Sequence, residues 1–168
     1  VHLPALVREM APLAVSATGH EATLNYDLGE DVAPVDGDAV QLRQVVLNLV
    51  TNAAQAVRER GGTIDVRIRG VGLQHAEEVA DGGPLPPGHY VTLEVTDDGC
   101  GMDRETLSRV FDPFYTTKVG GRGLGLAAVH GIVRSHHGGL QIRSAPGAGT
   151  RIAVLLPEDG DAASTAPP

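Results

Sequence analysis

Leu3, Leu6, Val7, Met10 and Leu13/Ala14 recur at the spacing of one helix face, and Thr18-Gly19 ends that run. Leu24, Tyr26 and Leu28 then alternate with polar neighbours, which predicts a half-buried strand. A long helical pattern follows Asp36-Gly37-Asp38 and stops at Gly61-Gly62. Ile64, Val66 and Ile68, set against Asp65, Arg67 and Arg69, predict a second strand, and Val91, Leu93 and Val95 a third. Residues 72–88 between them, rich in Gly, Pro and charge, read as a loop. After an irregular glycine-rich section, Gly125–His137 predicts a helix closed by Gly138-Gly139. Leu140–Ser144 and Thr150–Leu156 are two last strands joined by a turn at Ala145-Pro-Gly-Ala-Gly149.

Alternation this regular implies a sheet with one buried face, covered by helices, and one wetter face. The order of elements does not demand a parallel doubly wound sheet. The expected fold class is α/β, a two-layer α/β sandwich on a mixed sheet, with one domain over residues 1–157. Residues 158–168 are Ala, Asp, Ser and Pro, too poor in apolar side chains to pack, and are expected to be a disordered tail or linker.

One helix breaks the simple pattern. Within Gln41–Val57, Gln44, Asn48, Asn52 and Gln55 recur at i, i+4, i+8 and i+11, so four uncharged polar side chains share a face. Leu42, Val45, Leu49, Ala53 and Ala56 take another face and Val46, Val50 and Val57 a third. A polar stripe among apolar residues costs free energy unless something hydrogen-bonds to it. Two asparagines one turn apart offer carbonyl oxygens suited to a hard cation such as Mg²⁺. A buried amide pair satisfied by backbone fits the same spacing, and the helix alone does not decide between them.

Composition narrows the partners. Lys+Arg number 13 against 21 Asp+Glu, a net charge of −8, so no diffuse basic surface invites nucleic acid. A bound polyanion must be held by backbone donors and a few placed cations. Aromatics make up 3% of the chain with no Trp, so packing relies on Val, Leu, Ile and Ala. A single Cys makes no internal disulfide, and neither a secretory leader nor a bilayer-spanning apolar run is present. The expected location is cytoplasmic, with no membrane contact from this stretch and a membrane anchor left open for the full-length protein. The opening at Val1 reads as the middle of a longer protein.

Three further motifs carry candidate chemistry. Asp97-Asp98-Gly99-Cys100-Gly101-Met102 follows the third strand directly. A carboxylate at a strand end, followed by glycines that admit close approach, suits a planar ligand bearing an amino group; a plain Asp-Gly turn is the other reading. Gly120-Gly121-Arg122-Gly123-Leu124-Gly125-Leu126 runs into a helix and presents free backbone N–H groups where phosphate binds well. It is not a P-loop, since no Gly-Lys-Ser/Thr follows, and it does not open a βαβ unit. A lid hinge is compatible with it. Between these, Phe111-Asp-Pro-Phe-Tyr-Thr-Thr-Lys118 gathers three aromatics in an aromatic-poor chain. They suit the anchor of a mobile segment, or a local cluster under a long loop.

The order and spacing of Asn52, Asp97-x-Gly-x-Gly101, Phe111–Lys118 and Gly121-x-Gly-x-Gly125 closely resemble the N, G1, F and G2 boxes of sensor histidine kinases. The resemblance runs to Pro157. It implies the ATP-binding catalytic domain in the Bergerat fold, shared with gyrase, Hsp90 and MutL ATPases. By that resemblance Asn52, assisted by Asn48, would coordinate Mg²⁺ on the ATP phosphates. Asp97 would read the adenine amine, with Gly99 and Gly101 letting the base approach the backbone and Gln55 and Met102 among the nucleotide contacts. Gly121, Gly123 and Gly125, with the amides of Leu124 and Leu126, would hold phosphates. Phe111, Phe114 and Lys118 would belong to the lid, Lys118 reaching the γ-phosphate and Arg122 a phosphate or solvent.

The hydrolysing relatives carry a Glu four residues before the metal-binding Asn. Here that position is Asn48, an amide that cannot act as a base, so slow hydrolysis and transfer to a protein acceptor are expected. The family's acceptor is a helical His followed by an acid and soon by Pro. His20-Glu21 lacks that context, and the acceptor helices are expected to lie outside this chain. The partners implied are those dimerisation helices and a response regulator. His136-His137 are expected to cap a helix end as imidazolium against its dipole. The rival readings are an ATPase or protein-serine kinase of the same superfamily, and a non-catalytic nucleotide-sensing domain.

Overall fold

The computed structural model describes residues 1–19, 22–80, 83–113, 115 and 125–160. In chain order the elements are α1 (Leu3–Thr18), β1 (Ala22–Leu28), α2 (Ala39–Val57), β2 (Gly62–Leu73), β3 (Gly88–Asp97), α3 (Arg104–Arg109), α4 (Gly125–Ser135), β4 (Gly139–Ser144) and β5 (Thr150–Pro157). Among the described residues the strands form one sheet in the order β1-β2-β3-β5-β4. β1 and β2 pair in parallel, as a crossover through α2 requires, and the other pairs are antiparallel. The fold is the expected two-layer α/β sandwich on a mixed sheet.

The predicted apolar faces make the core. α1 buries Leu3, Leu6, Val7, Met10 and Ala14, and α2 buries Leu42, Val45, Val46, Leu49, Val50, Ala53, Ala54 and Val57. With Ile64, Val66 and Ile68 of β2 and Val91, Leu93 and Val95 of β3 they form one buried cluster. The apolar second and third faces of α2 thus merge into one wide buried stripe. Asp38 caps the helix, its carboxylate accepting from Val40 N at 2.7 Å and Gln41 N at 3.1 Å.

The opposite sheet face is wet over β1 and most of β2, but not everywhere. Leu85, Tyr90, Ala153 and Leu155 form a small second core with Val71, Leu73 and Val79 beside it. β5 is therefore buried on both faces, which explains its unbroken run Ile152–Leu156. Residues 72–88 are not all loop: β2 extends through Leu73, β3 starts at Gly88, and Glu77 and Leu85 form a bridge. Nearer the middle of this face Glu94 carries two guanidinium groups, Arg151 at 2.6 Å and Arg67 at 4.0 Å.

Three further details depart from the sequence pattern. The irregular section holds a short helix, α3, capped by Asp103, whose carboxylate accepts from Thr106 N at 2.8 Å and is held below its usual pKa by that bond. The tail is tied down at its start: Glu158 N donates to His89 O at 3.0 Å and Asp159 N to Pro34 O at 2.8 Å. Finally, α4 ends at Ser135, and His137 adopts a left-handed φ of 59° while Gly138 N donates to Val133 O at 2.9 Å. An exposed histidine in a conformation that favours glycine is strained. His137→Gly is expected to raise stability by about 0.5–1 kcal/mol, read as a higher urea midpoint; an unchanged or lower midpoint contradicts it.

Candidate functional site

The polar stripe of α2 lies at the border of the core rather than inside it. Gln44 and Gln55 are exposed and Asn48 and Asn52 half-buried. Asn48 Nδ2 donates to Gly125 O at 3.4 Å, joining the middle of α2 to the first residue of α4 across 77 positions. At the far end of α4, Asp38 N donates to His136 Nε2 at 3.0 Å, while His136 Nδ1 lies 2.7 Å from Ile132 O. The two helices therefore run antiparallel, joined at both ends. A backbone N–H only donates, so Nε2 accepts this bond. His136 thus caps the last turn of α4 through Nδ1 and also ties α4 to the start of α2 through Nε2.

The Asp97–Met102 loop is held from three sides. It meets the end of α2, where Cys100 N donates to Ala56 O at 3.2 Å. A Cβ on Gly99 would stand 2.5 Å from that same carbonyl, so only glycine permits the approach. It meets the start of β2, where Asp98 Oδ1 accepts from Thr63 N at 2.8 Å. It also meets the β4–β5 turn, where Gly147 N donates to Cys100 O at 2.7 Å and Met102 N to Ser144 Oγ at 2.8 Å. Asp97 itself is 5% exposed, and its Oδ1 accepts from Gly99 N at 2.9 Å.

Two residues that the sequence pattern did not single out stand in a row with Asp97. Thr150 is its direct partner across β3 and β5, and Ser144 is the partner of Thr150 across β4 and β5. Asp97 and Thr150 are the buried polar side chains among the described residues. Ser144 Oγ lies 2.8 Å from Thr150 Oγ1 and donates to Gly149 O at 3.0 Å. A Thr at the start of a strand is an ordinary sight, and only the register of two strands far apart in sequence puts it opposite Asp97.

Phe111 is half-buried and stacks on His130 of α4, with ring centroids 4.7 Å apart at 29°. Arg109 lies over the Tyr115 ring at 4.1 Å. The aromatic segment is thereby attached to the helix that follows it. Gly125 and Leu126 open α4, Leu126 packing against the core. Phe114, Lys118, Gly121, Arg122, Gly123 and Leu124 lie outside the described residues, as do His20 and Glu21. Among the described residues no three His, Cys, Asp or Glu side chains gather into a metal site, and no helix is long and apolar enough to cross a membrane.

Gly101 offers a direct check on this construction. Its φ is +69°, and a Cβ there would stand 1.9 Å from Ala145 O. Gly101→Ala is expected to cost at least about 2 kcal/mol, measured by chemical unfolding. A wild-type midpoint would mean that the loop does not sit against the 145–149 turn.

Residues 37–160 match the family model for histidine kinase-, DNA gyrase B- and HSP90-like ATPases. The chain is 34% identical over 159 residues to the signal transduction histidine-protein kinase AtoS of Escherichia coli K12, covering 94% of this chain and 23% of AtoS. It is 37% identical over 154 residues to the sensor kinase CckA of Brucella abortus, covering 90% of this chain and 16% of CckA. To the sensor histidine kinase ZraS of Escherichia coli K12 it is 36% identical over 141 residues, covering 84% of this chain and 27% of ZraS. It thus spans well under half the length of these relatives. Among solved structures, the mycobacterial sensor histidine kinase MprB superposes with a TM-score of 0.72 at 24% identity, over 94% of this chain and 97% of that one. ShkA in complex with AMPPNP does so with a TM-score of 0.72 at 23% identity, over 94% of this chain and 30% of that one. At these identities it is the fold that is shared.

Proposed function

The chain belongs to the histidine kinase-, DNA gyrase B- and HSP90-like ATPase family, and from that premise we propose that it is the catalytic domain of a sensor histidine kinase. In this reading it binds ATP with Mg²⁺ and donates the γ-phosphoryl group to a histidine on a separate dimerisation domain, from which a response regulator is served. The catalytic unit runs through Pro157, in the cytoplasm.

The observation that carries the reading is the amide at position 48. Its nitrogen is committed to Gly125 O, so its oxygen is the atom left for a ligand. Asn52 stands one turn further along the same face, and two amide oxygens in that relation fit a hard cation. Asn48 and Asn52 would hold Mg²⁺, which supplies neutralisation of phosphate charge when bound. The protein's own residues do the rest by positioning. Asp97 accepts from the adenine amine, and Gly99 and Gly101 hold its loop tightly against Ala56 O and Ala145 O. Gln55 and Met102 flank it. The start of α4 at Gly125 and Leu126, with Gly123, Leu124 and Arg122 before it, cradles the phosphates, and Lys118 reaches the γ-phosphate. Phe111 and Phe114 anchor that segment, Phe111 through its stack on His130. Because an amide takes no proton from water, the γ-phosphoryl group is kept for the histidine acceptor.

Two measurements test this. Given ATP, Mg²⁺ and a separately supplied dimerisation domain, the chain is expected to form acid-labile phosphohistidine on that domain while hydrolysing ATP slowly by itself. Rapid steady-state hydrolysis, or ATP binding without any phosphohistidine, sinks the assignment. By calorimetry, Asn52→Ala is expected to abolish the Mg²⁺-dependent part of ATP binding; retention of the full Mg²⁺ effect contradicts the cation role.

A further inference from the structure

Asp97, Thr150 and Ser144 form one transverse row across β3, β5 and β4, on the face covered by helices. The hydrogen-bond directions along this row follow from atom types. The Ser144 hydroxyl has one proton and two lone pairs. Met102 N donates to it at 2.8 Å. Gly149 O, at 3.0 Å, is a carbonyl that only accepts, so it takes the Ser144 proton. The remaining neighbour, Thr150 Oγ1 at 2.8 Å, must then donate to Ser144. With its proton turned that way, Thr150 meets a group entering beside Asp97 as an acceptor. Asp97, a carboxylate already accepting from Gly99 N, is an acceptor too.

From this relay we infer that Ser144 is a specificity-determining positioning residue, which fixes the Thr150 hydroxyl and so selects purines carrying a 6-amino over a 6-oxo group. The inference rests on the nucleotide reading above. Two neighbouring acceptors match the two hydrogens of an exocyclic amine, directly or through a water. They oppose the carbonyl oxygen of hypoxanthine or guanine. Asp97 at 5% and Thr150 at 6% exposure leave little solvent to repair a mismatch. Without the Ser144 hydroxyl, Thr150 is free to rotate and donate toward a 6-oxo group.

Calorimetric titration of the chain with ATP and with inosine triphosphate, each with Mg²⁺, tests the relay. The wild type is expected to prefer ATP, and Ser144→Ala to lower the ATP-to-inosine-triphosphate affinity ratio about tenfold. Ser144→Thr, which keeps the hydroxyl, should restore the ratio. Thr150→Val, of nearly the same shape, should lower it as Ser144→Ala does. A merely structural Ser144 would weaken both nucleotides by one factor, and an unchanged ratio in Ser144→Ala overturns the inference. If Ser144→Ala fails to unfold cooperatively, Thr150→Val decides, and a wild-type ratio there overturns it. Equal wild-type affinity for the two nucleotides overturns the relay but leaves the phosphate site standing. Binding of neither removes the proposed function and the relay with it.

Discussion

Everything at the candidate site depends on one close backbone contact, that of Gly99 and Cys100 against the Ala56 carbonyl. α2 carries the polar stripe and β3 delivers Asp97, and nothing local brings the two together. The contact does so at a distance that excludes any side chain at position 99. Asp98 then fastens the same loop to Thr63, and the 145–149 turn closes it from the third side. α4 buries Val129 and Val133 in the core, and its bonds at Gly125 and His136 set its first turn beside Asn48.

Much of this was legible before any coordinates. Helices and strands with an apolar face reported themselves through their period, because burial is what that period records. α3 was silent for the same reason: it buries no side chain, so its only signal was the Asp103 cap. The loop at 72–88 hid its structure because polar and glycine-rich residues mask the short apolar set Val79 and Leu85, which closes the second core. The stripe on α2 was read as ringed by apolar residues, whereas Gln44 and Gln55 emerge into solvent. A helical wheel gives the angle between faces but not how deep each one sits.

At the site the division is sharper. Asn48 and Asp97 stood out because a polar group in an apolar pattern needs a reason. Thr150 and Ser144 did not, since each reads as an ordinary strand-end residue and becomes notable only through the pairing of β3, β5 and β4. His136 shows a different blind spot. Its place at a helix end signals a cap, yet the ring also takes the N–H of Asp38, 98 residues earlier. The local pattern pointed to the cap but carried no sign of the long-range bond.

The strand order has a consequence for biosynthesis. β5 is the last of the described strands, yet it lies between β3 and β4. A nascent chain leaving the ribosome can form α2, β2 and β3 early, but the row through Asp97 stays open until Thr150 arrives between its neighbours. The row is thus completed only once β5 has been made. A chain truncated before β5 would carry α2, β3 and α4 with the residues singled out on them, but without the Thr150 that faces Asp97.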